Sequence, residues 1–235
     1  MKGVLTVLLL LGFMFLYSIS IYEIQYTSNP GRDNTYPSRY VGKSVIIEGI
    51  VTAANYKSGG FFMSEPAGGP WRSIFVKANN TGVKPGDKIV LKGTVDEYFG
   101  MTVIQDVMSM SIKDSHHTIP FSNQVTSGQL TTPDQAEAYE STLVKVQNST
   151  YIQNQVGSYK YTINDGSGPC IVADNFISEK IANYKTGQLF SSITGIVCYA
   201  FGEYSINPRN QADISVLVPV FNQNRSWGRI KSIYK

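Results

Sequence analysis

The chain has 235 residues, with 20 Lys and Arg against 17 Asp and Glu for a net charge of +3, and only two His and two Cys. Charged residues make up 16% of it beside 21 Gly, 15 Tyr and 11 Phe, which excludes a coiled coil or a disordered chain and points to compact all-β structure. The adjacent His116-His117 and the two Cys leave almost no raw material for a multi-ligand zinc site or a His-assisted nucleophile, and +3 is too small for a dedicated polycationic nucleic-acid binder.

Residues 1–22 contain the apolar run Val4 to Tyr17 behind Lys2, followed by Ser18-Ile19-Ser20. That run is expected to be a signal peptide cut near Ser20 or an uncleaved membrane anchor, and either places the remainder outside the cytoplasm, secreted, periplasmic or anchored. Residues 23–40 are rich in Ser, Pro, Asn and Arg and read as a linker.

Residues 41–114 carry five strand signals. They are Val45 to Val51 with a bend at Gly49, Phe61 to Glu65, Ile74 to Lys77, Ile89 to Val95, and Met101 to Gln105 after Gly100. Residues 115–137 form a connector in which Pro133 followed by acids predicts a short helix. Residues 138–217 repeat the order of the first stretch: Leu143 to Val146, Tyr159 to Ile163, the turn Asn164 to Gly168, Cys170 to Val172, and Ile193 to Val197. Gly93 and Gly100 are seven apart, as are Gly195 and Gly202, and Val95 and Val197 follow two residues after the first Gly of each pair. Asn175 to Ile181 predicts a short helix in the second copy where the first has a loop. Residues 218–235 are a basic tail with Arg225, Arg229, Lys231 and Lys235 around Trp227.

Five strands per copy with a Gly-bent first strand is the layout of the OB-fold, so the expected fold class is all-β, two tandem five-stranded Greek-key barrels. Ala136 to Val146, the turn Asp165-Gly166-Ser167-Gly168-Pro169, and Phe201 to Ile214 together resemble the OB-fold modules attached to secreted bacterial endonucleases and other exported multidomain proteins. The resemblance covers roughly residues 40 to 216 and is not accompanied by a nuclease domain. It implies tandem barrels, an extracytoplasmic setting and nucleic-acid binding, and it brings no catalytic residue, metal or cofactor with it.

An OB barrel that binds single strands stacks bases on exposed aromatics of its second and third strands beside basic groups. If Phe61, Met63, Ile74 and Val76 face the core, then Phe62, Phe75 and Lys77 face outward, joined by Trp71 and Arg72 at the turn between them. The alternatives are a slipped register or burial of that face against the second barrel. In the second copy, Tyr199, Phe201, Tyr204 and Arg209 are the candidates, although a Pro-Arg turn with Asp213 nearby is more often a structural ion pair. The copies carry eight basic residues against six acidic (41–113) and five against six (138–217), so neither has a strong positive field. The expected activity is therefore non-enzymatic: weak binding of single-stranded nucleic acid, or recognition of an envelope protein or polysaccharide, with membrane contact only if the N-terminal segment is uncleaved. Cys170 and Cys198 fall on strands of opposite parity, which argues against a disulfide between them.

Overall fold

In a computed structural model of the chain, residues 18–154, 160–177 and 184–217 are described. Ile19 N–H donates to Ile46 O at 2.9 Å, and helix α1 (Ile21–Gln25) follows. A reciprocal capping box fixes its start: Ser20 Oγ accepts from Glu23 N–H while the Glu23 carboxylate accepts from Ser20 N–H. Ile21 and Ile24 are fully buried under the barrel, and Gln25 Nε2 donates to Ser73 O. α1 thus straddles the boundary expected between the apolar segment 1–22 and the linker 23–40, and plugs the barrel. A five-residue helix has too few turns to show a period, which is why its packing role is invisible in the sequence.

The first barrel closes in the order β1 (Ser44–Ala53), β2 (Phe61–Ser64), β3 (Ser73–Val76), β5 (Met101–Asp114), β4 (Lys88–Tyr98). The first half of β1 pairs with β4 and its second half with β2, so β1 must bend between two partners. Gly49 stands at that bend, where a Cβ would lie 2.8 Å from both Met63 Cε and Ser64 O. The alternate residues Phe61 and Met63, Ile74 and Val76, and Ile89 and Leu91 fill the interior with Val45, Ile47, Val51, Val95 and Ile104.

The connector crosses from one barrel to the next through β6 (Asn123–Gln124) and α2 (Pro133–Ala136), the latter with Pro133 in its first turn as the sequence predicts. The second barrel repeats the first in the order β7 (Leu143–Asn154), β8 (Tyr161–Asn164), β9 (Pro169–Val172), β11 (Glu203–Asn207), β10 (Leu189–Ala200), closed by β10 on β7. β6 and β12 (Ile214–Val216) extend its sheet at the flanks. In both copies the third strand runs parallel to the fifth, through Phe75 and Val103 in one and Ile171 and Ser205 in the other. Two OB-type barrels in tandem therefore account for the chain's repeat.

Of the helix predicted from Asn175, residues 175–177 form a turn and an irregular residue, and the rest lies outside the described residues together with the basic tail and the run Val4 to Tyr17. Among the described residues no helix is long and apolar enough to cross a membrane. Cys170 and Cys198 are both free and buried, and burial pushes both thiol pKa values up.

The two barrels share one apolar seam. Ala53, Phe62, Phe75, Met101 and Val103 of the first barrel belong to the same core as Val144, Tyr161, Ile163, Phe190 and Ile206 of the second. Polar contacts stitch its margins: Lys57 N–H donates to Asn175 O, Lys57 Nζ pairs with Asp174 at 3.0 Å, and Trp71 N–H donates to Ala138 O.

Candidate functional site

Each barrel carries a two-residue hairpin between its fourth and fifth strands. In the first, Phe99-Gly100 joins β4 to β5, with Tyr98 paired to Met101. In the second, Phe201-Gly202 joins β10 to β11, with Ala200 paired to Glu203. All four residues have positive φ, 55° and 86° in one and 53° and 87° in the other, the geometry of a type I′ turn. Phe is a costly residue at the first position, since the left-handed region strains any side chain with a Cβ by about 1–2 kcal/mol. The sequence nevertheless places Phe there twice.

The topology brings the two tips together. The rings of Phe99 and Phe201 lie 4.5 Å apart, centroid to centroid, while remaining 52% and 81% exposed. Tyr98 packs on Phe99 at 4.5 Å, and Lys77 Nζ stands 3.6 Å from the centre of the Tyr98 ring, close enough for a cation–π contact. Gly100 permits this approach, because a Cβ there would lie 2.5 Å from Tyr199 Cε1. The result is a continuous ridge, Lys77, Tyr98, Phe99 and Phe201, spanning both barrels.

Beneath the ridge lies a set of carboxyl groups. Thr102, opposite Glu97 in the β4–β5 hairpin, donates its Oγ1 hydrogen to Glu97 Oε1 at 2.9 Å and its backbone N–H to Glu140 Oε1 at 3.0 Å. Tyr204, opposite Tyr199 in the β10–β11 hairpin, donates its hydroxyl to Glu137 Oε2 at 2.6 Å. Glu137 and Glu140 are each 2% exposed. Burial raises the pKa of Glu137 to about 8, with the nearby Glu97 carboxylate adding to the rise, and raises that of Glu140 well above the usual carboxylate range with Glu137 and Glu97 contributing. Glu97, half-buried, is raised by burial too, against hydrogen bonds from Ser38 and Thr102 that favour its ionised form.

The residues that the sequence singles out fall into two groups. Phe62 and Phe75 point out of the first barrel, as strand parity requires, yet both are fully buried, so they do not form a stacking surface. Their rings lie 4.8 Å apart, Tyr56 meets both edge-on, and Phe176 of the second barrel closes over Phe62 at 5.7 Å. The second barrel occupies the face that a ligand would need. Trp71 and Arg72 hold the N-terminal segment instead: Trp71 meets Tyr26 edge-on, and Arg72 pairs with Glu65 at 2.5 Å while lying over the Tyr22 ring. Arg209 forks onto Asp213 and donates to Thr52 O across the seam, which makes it a structural ion pair. Tyr199 and Tyr204 are buried under the ridge, their rings 4.7 Å apart. Lys77 and Phe201 reach the ridge itself. Phe99 and Tyr98 are not among the sequence candidates, although the repeated Phe-Gly pair at the matched glycines Gly100 and Gly202 carries the signal.

Among the described residues no group of three or more His, Cys, Asp or Glu could hold a metal ion. His117 Nε2 lies 3.2 Å from Asp114 Oδ2 at the surface of the interbarrel loop.

No family model matches the chain, and no curated protein matches it. Among solved structures, the chain is similar to the Ifi202 HINa domain crystallised with a 20-base-pair double-stranded DNA, at 10% identity and a TM-score of 0.34 over 74% of this chain and 97% of that one. It is similar also to the tetrameric p202 HIN2 domain, at 14% identity and a TM-score of 0.33 over 75% and 97% of the two chains. A third similar structure is the p204 HINb domain, at 13% identity and a TM-score of 0.32 over 76% and 97%.

Proposed function

We propose that the protein is an exported, non-enzymatic binding module that holds a single-stranded nucleic acid across the two hairpin tips. The observation that carries this reading is the contact between Phe99 and Phe201, two exposed rings held together at strained turn positions of equivalent hairpins. The loop between the fourth and fifth strands is one of the places where OB barrels take extended oligomers, and here both such loops converge. Bases stack on the two rings, and Lys77 at the end of the ridge neutralises a phosphate. Weak electrostatics follow from the pairing of cations elsewhere: Arg72, Lys88 and Arg209 are each matched to a carboxylate. The extracytoplasmic setting rests on the apolar run Val4 to Tyr17.

The same neutralised surface favours a second reading, an uncharged polysaccharide stacked on the same rings. Titration of the chain with a fluorescent oligothymidylate at low salt separates the two. Saturable binding, weakened by about 1–3 kcal/mol per ring in Phe99→Ala and Phe201→Ala, is expected. Absence of binding at low salt overturns the nucleic-acid reading and leaves the polysaccharide one, to be tested on the same variants.

A further inference from the structure

The two hairpins do not reach each other by their rings alone. The stretch between α2 and β7 supplies Glu140, which takes the Thr102 N–H of the first hairpin, and Glu137, which takes the Tyr204 hydroxyl of the second. These two carboxyl groups, three residues apart, therefore grip both tips from below. Among the described residues the charged groups bearing on them are Glu97 from β4 and each other, and no cation. Tyr204 and Tyr199 from the second hairpin, Tyr36 from the segment before β1, Cys198 from β10 and Gln25 from α1 complete their titratable and polar surroundings. Gln25 gives one amide hydrogen to Ser73 O and is also a hydrogen-bond partner of the Glu140 carboxyl, while Glu97 Oε2 is buried without a close hydrogen-bond partner. Buried carboxylates that lack a counter-ion and leave acceptors unmet are expensive, while the protonated forms are tolerated.

We propose that Glu137 and Glu140 form a protonation-controlled clasp that keeps the two hairpin tips, and the Phe99–Phe201 ridge they carry, in contact. With both carboxyls protonated the seam is neutral and closed. Loss of their protons places like charges beside Glu97 in an apolar seam and forces the hairpins to part toward water. The direction follows from linkage. A carboxyl whose pKa is raised on folding adds its full stability below its usual value near 4.5 and loses it as pH climbs through the raised value, about 8 for Glu137. The clasp is thus tightest in acid, weakens progressively as pH climbs toward about 8, and is at its weakest in mild alkali. Its effect on a ligand rests on the ridge reading; the clasp itself does not.

Cys198 offers a native probe, since it is buried at the seam, where it hydrogen-bonds Tyr56 and feels Glu140, while Cys170 is buried beside Asp165, whose carboxylate is held by Ser127 and not by the Glu137–Glu140 pair. Alkylation of both thiols in the full chain is followed by mass spectrometry, and the ratio of Cys198 to Cys170 labelling cancels the common rise in thiolate with pH. The ratio is expected to increase about tenfold or more between about pH 6 and about pH 9, because between the usual carboxylate value and the raised one each tenfold fall in proton concentration weakens the closed form by about tenfold. In the Glu137→Gln/Glu140→Gln variant, which mimics the protonated pair, it is expected to stay flat. A flat ratio in the unmodified chain overturns the clasp. Should the double variant fail to fold, hydrogen exchange in the unmodified chain decides. The Thr102 amide is expected to lose protection relative to the Val95 amide, which donates to Lys43 O within the first barrel, as pH rises through about 8. Constant relative protection overturns the clasp by itself. If the clasp opens and oligonucleotide affinity does not fall with it, the ridge reading fails and the clasp stands.

Discussion

Phe201 shows how a single residue separates stability from use. Its ring is 81% exposed and its backbone sits at φ 53°, so most of its surface is uncovered while its turn is strained. Phe201→Gly relieves the strain, adds backbone freedom to the unfolded chain and removes one contact with Phe99. The expected outcome in chemical denaturation is a stability unchanged or raised by up to about 1 kcal/mol. A loss above about 1 kcal/mol would show that the ring packs structurally. At this scale the sequence is legible where a residue answers to its own strand. The alternation of Phe61 and Met63 against Phe62, and of Ile74 and Val76 against Phe75, is the alternation observed. It does not reveal what lies on the far side of Phe62 and Phe75, because parity names a face and Phe176, over a hundred residues away, decides what covers it.

Among the elements, the glycine-marked strands are the readable ones and α1 the hidden one. Gly49 and the matched pairs Gly93/Gly100 and Gly195/Gly202 punctuate the strands in the same order in both copies, so their spacing reports a repeated barrel directly. A Cβ at Gly93 would lie 2.4 Å from Ile104 Cγ2, and one at Gly195 would lie 2.6 Å from Asn207 O. α1 has no such punctuation, and its two isoleucines continue an apolar run that reads as an export segment. Its role as a plug is testable: Ile24, fully buried, is expected to cost about 2–5 kcal/mol when changed to Ala, measured by urea denaturation. A cost under about 0.5 kcal/mol, the range of an ordinary surface change, would remove α1 from the core.

For the whole molecule, the apolar seam converts two ordinary barrels into one unit with one ridge. In consequence the strand face of the first barrel, the usual OB surface, is given over to holding the second. In its place the hairpin loops of both barrels meet, with Phe99 and Phe201 in contact and Lys77 at the margin. A net charge of +3, too small for a field-driven binder, is compatible with the proposed binding by stacking. The most direct test is ultraviolet cross-linking of a bound oligothymidylate, with the modified peptides located by mass spectrometry. Cross-links confined to the hairpin peptides around Tyr98 to Met101 and Ala200 to Glu203 are the predicted result. Cross-links concentrated elsewhere in the second barrel, around Thr162 and Ile171 on β8 and β9, with none at the hairpins, would contradict it.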